Sequence, residues 1–536
     1  MSTPTRTTLV IAALAAVTMA GTGLAHGVNG GGTATRSSSL GSTTSSTTSN
    51  SLGSTVSSNA SAQVSAADIA AARWKPCTDA PKVDCAKVTV PVDWSKPDGE
   101  KIRIALARRE ATNPKTRIGS LLYNPGGPGV SGVAMIKGSA ASAFSKKVRS
   151  RFDIVGFDPR GVGSSTAVRC PAGGARERVL TEKVTDTLFA GKGLSGKKLR
   201  QIRAANRKDG QTCRELSGAV ADHLDSLSVA RDMDGIRSAL GDDKLTFYGL
   251  SYGTLLGQQY ATLFPGRVRA LLLDSNLDHS LSGTGFLVSQ AAAVQDSFDQ
   301  YVAWCDRSST CTLHRQGARA VFTKLRLRAQ RGRLRDPDTG EKVGVSMLID
   351  TTQTFLSGPD WTSLSSWYSG LLSGRVVGDS EHLRTASYGR DPGEKSADGI
   401  FCSDWRTQFT GAAQLRTTVK RMRAVAPDMR MSSMAMGTVL GCQGWPTAVR
   451  APQAKLKWAG VPAVLLVNSL HDPATPYSGA RDVARQSGAR LLTYNGWGHG
   501  VIGRRGTGSC LRDAATLYLV NLKVPASGRH CAAAKV

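Results

Sequence analysis

The chain has 536 residues, of which 40% are apolar and 20% charged, and its formal net charge is +28. This length suits one large domain with an insertion, or two domains, and the apolar fraction suffices for a buried core. Beyond the N-terminus no apolar stretch approaches the length of a membrane-spanning helix, so the composition excludes an integral membrane protein with several spans.

The excess of basic residues has two interpretations. Basic patches would bind a polyanion, whereas dispersed charges form only a solvated surface. We favour the solvated surface, because the densest basic runs, 325–335 and 504–506, are short. The chain has no motif typical of DNA or RNA binding, so no nucleic-acid partner is expected. Weak attraction to an anionic cell wall stays open.

Residues 1–25 predict a secretory signal peptide. An arginine precedes the apolar segment LVIAALAAVTMAGTGLA, which ends near Ala20 or Ala25. Its apolar core is shorter than the roughly 20 residues that a spanning helix needs. No cysteine follows to carry a lipid, and a retained membrane anchor is the alternative. We therefore expect a secreted, extracellular protein with no stable membrane anchor once the signal is cleaved.

The segment 27–66 consists mostly of Gly, Ser and Thr. It cannot bury enough apolar surface to offset the entropy lost on ordering, so it predicts a disordered linker or pro-segment. The globular region begins at about residue 67. There the segments 87–94 and 101–109 alternate apolar and polar side chains, as half-buried antiparallel strands do.

Continuous apolar strands then alternate with helical stretches. The strands are predicted at 121–123, in the first part of 152–165 before a Gly-rich turn, at 244–250 and at 268–276, and the helices at 230–240 and 252–264. This order indicates a parallel sheet covered by helices on both faces. The two earlier alternating strands give the sheet an antiparallel start.

From 280 to 452 the alternation stops, and the sequence predicts a mainly helical insertion with several tryptophans and four cysteines. The sheet pattern resumes with a strand at 460–469, a helix after Tyr477 and a strand at 489–496. The sequence therefore predicts one α/β domain in two parts, 67–279 and 453–536, interrupted by that insertion.

The ten cysteines all follow the predicted signal peptide, and their even number argues for disulfides. No C-x-x-C pair is present, so no metal site is expected. Their spacing suggests that neighbours in sequence pair, a hypothesis because spacing does not prove connectivity: Cys77–Cys85, Cys170–Cys213, Cys305–Cys311, Cys402–Cys442 and Cys510–Cys531.

The heptapeptide YGLSYGT contains the pattern G-x-S-x-G around Ser251, typical of a nucleophile on a sharp strand-to-helix turn. Such a turn has room only for very small flanking residues. With 58 glycines in the chain the bare pattern is weak. A strand before it and a helix after it supply the expected context, and the alternative is a structural turn.

A serine nucleophile needs a base, and the base needs an orienting acid, in the chain order Ser, Asp, His for this kind of sheet. Asp472 lies just beyond a predicted strand, where catalytic groups of parallel sheets are found. His499 follows the next strand, in a loop between two glycines. His530 is the other histidine after Asp472, and His471 is interpreted as a bystander.

An oxyanion hole would combine the backbone amide of Tyr252 with one from the Gly/Pro loop 124–129. Gly127 is the favoured second donor, with Gly126 as the alternative. A phosphate-binding loop is the weaker interpretation, because no P-loop lysine follows the glycines.

Four segments together, YNPGGPG, VGFDPRGVGSS, YGLSYGT and the pair HDPATP and GHGV, resemble the secreted tripeptidyl aminopeptidases of the proline-iminopeptidase-like α/β-hydrolases. The resemblance covers roughly residues 70 to 531. It implies an α/β-hydrolase fold and an extracellular serine exopeptidase that removes short peptides from free N-termini without a cofactor. By matching positions, Ser251, Asp472 and His499 would form its triad.

The resemblance extends into the insertion, where FCSDW and GCQGWP look like the family's paired cysteine segments, and implies that the insertion is a lid. A free ammonium group that is buried needs a carboxylate nearby. Asp404, held by a Cys402–Cys442 disulfide, is the candidate anchor, with Trp405 as a substrate-binding neighbour. The alternative for Asp404 is a solvated aspartate.

The insertion tryptophans, Trp361, Trp367, Trp405 and Trp445, would line a pocket or pack the lid, and we favour packing. Two other functions stay open for the whole chain. One is an exported esterase or lipase, because the triad acts on esters as well as amides. The other is a non-enzymatic, basic protein that binds the cell wall.

Overall fold

The computed structural model describes residues 69–138, 143–170, 183–376, 394–504 and 506–534. The predicted signal peptide and the predicted linker over 27–66 lie outside these ranges. Within them no helix is both long enough and apolar enough to cross a bilayer.

Ten strands form one sheet. They are β1 Lys75–Cys77, β2 Ala80–Pro91, β3 Lys101–Arg109, β4 Gly119–Asn124, β5 Phe152–Phe157, β6 Leu245–Leu250, β7 Val268–Asp274, β8 Leu465–His471, β9 Arg490–Trp497 and β10 His530–Cys531.

The strand order is β1-β2-β3-β5-β4-β6-β7-β8-β9-β10. The pairs formed by β1, β2 and β3, including β3 with β5, are antiparallel. Every later neighbouring pair is parallel. The predicted mixed sheet with an antiparallel start is therefore confirmed, and with it the α/β fold class.

Burial follows the sequence pattern that predicted these strands. Every residue of β4 and β5 is buried, as expected of parallel strands covered on both faces. β3 begins with alternating exposed and buried residues, because one of its faces meets solvent there. The short strands β1 and β10 have no counterpart in the prediction, since pieces of two or three residues carry no periodicity.

The α-helices of the described chain include α1 Gly132–Lys137, α2 Lys146–Arg151, α3 Gly196–Ser217, α4 Ser226–Ala239, α5 Tyr252–Leu263, α6 Gly283–Cys305, α7 Ala318–Gln330, α8 Val345–Ser357, α9 Trp361–Ser373, α10 Glu394–Asp404, α11 Ala412–Val425, α12 Ser433–Gly441, α13 Tyr477–Ser487 and α14 Ser509–Asn521.

Between β7 and β8 the described chain forms helices α6 to α12 and one isolated bridge, between Arg335 and Lys342. Of its tryptophans, Trp361, Trp367 and Trp405 are buried in the hydrophobic core, and Trp445 is partly buried against it. These tryptophans pack the insertion onto the domain.

The cysteines pair as neighbours in sequence, as their spacing suggests, in five disulfides. The described residues contain no free cysteine. The Cys402–Cys442 bond joins the end of α10 to the residue after α12, so it links two helices within the insertion.

A buried ion pair fixes the arginine of the segment DPRGVG. Arg160 is fully buried and donates to both carboxylate oxygens of Asp232, at 2.6 and 2.7 Å. It also donates to the backbone carbonyls of Pro91, Val92 and His223. Because its partners lie at the end of β2, in α4 and before α4, Arg160 connects these parts of the fold to the loop after β5.

Candidate active site

Ser251 lies between β6 and α5 with φ of 57° and ψ of −123°, in the left-handed half of backbone space that non-glycine residues rarely adopt. Its backbone amide donates to the carbonyl of Asp274 at 3.0 Å. The hydroxyl of Thr254 donates to the carbonyl of Ser251 at 2.6 Å. These bonds hold the turn in a strained conformation, which is characteristic of functional sites.

The two glycines of the G-x-S-x-G pattern are sterically required. A Cβ atom placed on Gly249 would lie 2.4 Å from the carbonyl oxygen of Gly253. A Cβ atom on Gly253 would lie 2.6 Å from the carbonyl oxygen of Asn124. Any side chain at either position would therefore push the turn away from its neighbours.

Asp472 follows β8, and its side chain is fully buried. One carboxylate oxygen accepts hydrogen bonds from the amides of Ala474 and Thr475, both at 2.8 Å. The other accepts from the Thr475 hydroxyl at 2.8 Å. Nδ1 of His499 lies 3.0 and 3.1 Å from the two oxygens, so the carboxylate orients the imidazole.

Asp472 and His499 each shift the pKa of the other. Burial by itself would raise the pKa of Asp472, but His499 and the amides of Thr475 and Ala474 outweigh burial and lower it. Burial would lower the pKa of His499, but the charge and hydrogen bond of Asp472 outweigh it and raise it. The pair is therefore stabilised as carboxylate and imidazolium, the charge state that forms when a histidine accepts a proton.

The end of β7 joins the loop of Ser251 to the loop of His499. Asp274 accepts from the amide of Ser251 through its carbonyl and from the amide of Val501 through its carboxylate. The next residue, Ser275, accepts from the amide of Gly500 at 2.7 Å. Asp274 and Ser275 thus hold both loops at one edge of the sheet.

The structure shows no hydrogen bond between the Ser251 hydroxyl and His499 in the part of the chain it describes. Nδ1 of His499 is engaged by Asp472, and Nε2 makes no hydrogen bond to a described residue. The His499 side chain retains 19% of its exposure. Because catalytic hydrogen bonds are often long without substrate, this geometry is compatible with a nucleophile and its base.

The loop after β4 lies against the turn of Ser251. The amide of Gly126 donates to the Asn124 side chain at 2.9 Å, so Gly126 is not a free oxyanion donor and that alternative is wrong for this conformation. A Cβ atom on Gly126 would lie 2.7 Å from the Tyr252 amide nitrogen, which places the loop beside that amide. The amide of Tyr252 begins α5 and lacks an intrahelical acceptor. In the described structure the Gly127 amide also has no acceptor.

A carboxylate that the sequence reasoning left without a role anchors this loop. Asp158, in the segment DPRGVG, accepts from the Ser131 hydroxyl at 2.6 Å and from the Val133 amide at 3.0 Å. Its other oxygen accepts from the Ser164 amide at 2.8 Å. The two Gly/Pro-rich segments of the sequence therefore interlock next to the proposed oxyanion hole.

Arg504 is a second supporting residue that the sequence reasoning missed, because it was counted only within the basic run 504–506. Its guanidinium donates to the carbonyl oxygens of Trp497, Ser357 and His499. It therefore fixes the backbone on both sides of the His499 imidazole.

Asp404 lies in a different environment from the one expected. It is fully buried, and its carboxylate accepts from the amide and hydroxyl of Ser226 and from the phenol of Tyr252. Burial, followed by the charge of Asp225, raises the pKa of Asp404 to about 8. This placement argues against Asp404 as the direct anchor of a substrate ammonium and also against a solvated aspartate.

Trp405 is likewise buried, with 1% of its surface exposed. Its ring stacks on Phe401 at a centroid distance of 5.3 Å and an interplanar angle of 5°. Phe286 and the edge of His279 contact the same ring at 4.9 and 4.7 Å. Trp405 therefore packs α10 against α6 rather than presenting a face to substrate.

His471 lies next to Asp472 but is oriented elsewhere. Its Nδ1 lies 2.8 Å from a carboxylate oxygen of Asp296 in α6, and its ring stacks near Trp497. Its backbone carbonyl accepts a hydrogen bond from the amide of Gly498, next to His499. The side chain of His471 thus contacts Asp296 in the insertion and Trp497 in β9, and is directed away from His499.

Comparison with known proteins gives consistent matches. Residues 119–503 match the model of a family described as having the α/β-hydrolase fold. The chain is 34% identical to serine protease Hip1 of Mycobacterium tuberculosis over 85% of this chain and 90% of that protein. It is 32% identical to tripeptidyl aminopeptidase of Streptomyces lividans, over 88% and 89% respectively. It is also 33% identical to carboxylesterase B of Mycobacterium tuberculosis, over 84% and 86%.

Proposed function

The chain belongs to the α/β-hydrolase family, and on that premise we propose that it is an exported serine exopeptidase that releases short peptides from the free N-termini of polypeptides. Two relatives that match most of the chain carry the names serine protease and tripeptidyl aminopeptidase. Both relatives support the more general assignment, that of a serine hydrolase of peptidase type. The N-terminal exopeptidase activity rests on the second alone.

The observation that carries the proposal is the position of the His499 ring. A buried carboxylate fixes Nδ1, and Nε2 has no protein partner in the described structure. The same edge of the sheet holds the strained Ser251 turn and two amides without acceptors, those of Tyr252 and Gly127. A nucleophile, its base and an oxyanion hole require this set of groups.

In the proposed reaction Nε2 of His499 accepts the Ser251 proton as the hydroxyl oxygen attacks the peptide carbonyl. Asp472 stabilises the resulting imidazolium, and the amides of Tyr252 and Gly127 bind the oxyanion. The imidazolium then protonates the leaving amine, which breaks the C–N bond and leaves an acyl-enzyme. Water, deprotonated by His499, hydrolyses the ester and frees the released peptide.

Export is proposed on two independent grounds. The N-terminal sequence predicts a cleavable secretory signal. The five disulfides are typical of proteins in oxidising compartments. Specificity for free N-termini would come from the helical insertion, which blocks longer N-terminal extensions, and the group that binds the ammonium is left unassigned because Asp404 is buried.

A comparison of three substrates tests the proposal. These are a tripeptide with a chromogenic amide leaving group, the same tripeptide with its N-terminus acetylated, and a p-nitrophenyl acetate ester. An N-terminal exopeptidase hydrolyses the first and loses most of its activity on the second, because acetylation removes the ammonium charge. Equal rates on the free and acetylated peptides would contradict the exopeptidase assignment.

An exported esterase is the second candidate function, favoured by the relative named carboxylesterase B. The same triad chemistry cleaves esters, and the fold does not fix the substrate. A high rate on the ester with none on either peptide would support it. A fluorophosphonate probe separates both enzymes from a non-enzymatic wall-binding protein, because only an activated Ser251 reacts with the probe.

A further inference from the structure

The insertion carries a basic groove, defined by Arg416, Val419, Lys420, Arg423, Ala424, Pro427 and Arg430 together with Gly191 and Gly193. Its volume is about 540 Å³. Arg416, Lys420 and Arg423 follow one another on one face of α11, since residues three and four apart are neighbours on a helix. The groove therefore presents a row of cationic side chains next to the backbone of Gly191 and Gly193.

The cations of this groove are not neutralised by carboxylates of the described chain. No acidic side chain lines it. Within the described ranges Arg416, Lys420 and Arg423 form no ion pair. Asp428, the residue after the groove residue Pro427, pairs with Arg319 and accepts from Gln295.

Arg430 shows the electrostatic consequence. Its backbone has φ of 63°, and its Nε is buried without a hydrogen-bond partner. Burial, then the charges of Arg326 and Arg423, lower its pKa to about 10. Arg326, itself 7% exposed, also has a buried Nε without a partner. The repulsion between cations at close range is reduced when an anion binds to them.

The lining also restricts the chemistry of that anion. Its side chains are cationic donors or apolar groups, and no lining side chain offers a hydrogen-bond acceptor. A peptide backbone carries as many N–H donors as C=O acceptors, so the lining side chains can pair with only half of its polar groups. Single-stranded nucleic acid binds with its bases stacked on aromatic side chains, and no aromatic residue lines the groove. A chain of phosphates carries acceptors only and matches the arginine fork.

We propose that the basic groove is a binding site for a linear phosphate polymer, through Arg416, Lys420, Arg423 and Arg430. The site is separate from the catalytic residues. It gives the exported protein a means of attachment to a phosphate-rich surface that leaves peptide hydrolysis unaffected.

Binding of inorganic polyphosphate to the full chain, measured by calorimetry over a series of salt concentrations, tests the proposal. Two variants with the same loss of charge are compared. The groove variant carries Arg416→Ala, Lys420→Ala and Arg423→Ala. The control variant removes two arginines and one lysine that are exposed elsewhere on the protein, with Arg481→Ala, Arg512→Ala and Lys523→Ala.

The groove variant is expected to bind polyphosphate at least about tenfold more weakly, since three charge-assisted contacts are lost. The slope of log affinity against log salt should become shallower by about two. The control variant should bind like the wild type. Peptide hydrolysis should be unchanged in both variants, which shows that each is folded.

Three results would overturn the proposal. Equal weakening in both variants would mean that net charge alone attracts the polymer. The absence of polyphosphate binding at low salt would remove the site altogether. Equally tight binding of poly-L-glutamate, with the same loss in the groove variant, would refute the assignment to phosphate.

Discussion

The phenol of Tyr252 donates a hydrogen bond to a side-chain oxygen of Asp404, which joins the first residue of α5 to the last residue of α10. The backbone amide of Tyr252 is the proposed oxyanion donor, so one residue contacts the insertion through its side chain and the reaction through its backbone. Asp404 also accepts from the amide of Ser226 at the start of α4. The insertion is thus fixed to the core next to the nucleophile.

The raised pKa of Asp404 predicts a specific pH dependence of stability. Burial first, and then Asp225, raise the pKa from 3.8 to about 8. Between these values the carboxyl ionises in the unfolded chain but not in the folded one. Its contribution to stability is therefore complete below pH 3.8 and is lost as the pH rises through 8. Wild-type stability relative to Asp404→Asn should fall by at least about 2 kcal/mol over this range.

Thermal or urea unfolding of both proteins at several pH values measures this difference. His279 contacts the Asp404 carbonyl and is held neutral by burial, which lowers its pKa to about 4. It titrates in the wild type and the variant alike and so cancels in the comparison. Parallel stability curves would contradict the prediction. If Asp404→Asn raised the KM for peptides but left ester hydrolysis unchanged, Asp404 would be supported as the residue that binds the substrate ammonium.

Removal of the proposed base should abolish activity, whereas removal of its neighbour should not. His499→Ala is expected to lower kcat by at least about a thousandfold, and Ser251→Ala similarly, because the triad acts as a unit. His471→Ala is the matched control, since that side chain contacts Asp296 in the insertion. Steady-state rates on a tripeptide amide, with circular dichroism to check folding, decide the matter. A comparable loss of kcat in His471→Ala would contradict the assignment of His499 as the base and of His471 as a residue outside the reaction.

The pH profile of kcat/KM should have its acid limb above the ordinary histidine value. Burial alone would lower the pKa of His499, but the Asp472 carboxylate outweighs burial and raises this pKa above 6.5. A general base is active only when neutral, so activity falls as the pH drops through this raised pKa. Asp472→Asn should move the midpoint downward and reduce kcat by up to about 10⁴-fold. A midpoint that does not move in Asp472→Asn would show that another group controls the acid limb.

The elements with the clearest local signals were predictable from the sequence. Strand periodicity located β2 to β9, and the glycines around Ser251 located the turn, because both are consequences of neighbouring residues. The environments of Asp404 and Gly126 were not predictable. The first depends on Tyr252 and Ser226, which are distant in sequence, and the second on an amide that turns back to Asn124.

Long-range contacts also explain why the roles of Asp274 and Arg504 could not be predicted from the sequence. Asp274 accepts hydrogen bonds from the amides of Val501 and Ile502, more than two hundred positions away in sequence. Arg504 carries no signal beyond its charge, although its guanidinium holds three carbonyl oxygens around the His499 loop. Such roles become visible only when the two halves of the domain are brought together.

The steric requirement at the nucleophile turn leads to the last prediction, for Gly253→Ala. A Cβ atom there would lie 2.6 Å from the carbonyl oxygen and 2.9 Å from the side-chain oxygen of Asn124. Asn124 also holds the Gly126 amide, so relief of the clash would displace the proposed oxyanion loop together with the turn. We expect a loss of about 1–3 kcal/mol in the free energy of unfolding, from overpacking.

The displacement should also lower kcat by about a hundredfold, because a misplacement of about 1 Å at a reacting centre has that effect. Gly266→Ala is the matched control, since a Cβ atom there meets no heavy atom within 4 Å and its backbone lies outside the left-handed region. That variant should stay within about 0.5 kcal/mol of the wild type and keep its kcat. If Gly253→Ala were as stable and active as Gly266→Ala, the loop and the turn would not be in the close contact on which the proposed oxyanion hole depends.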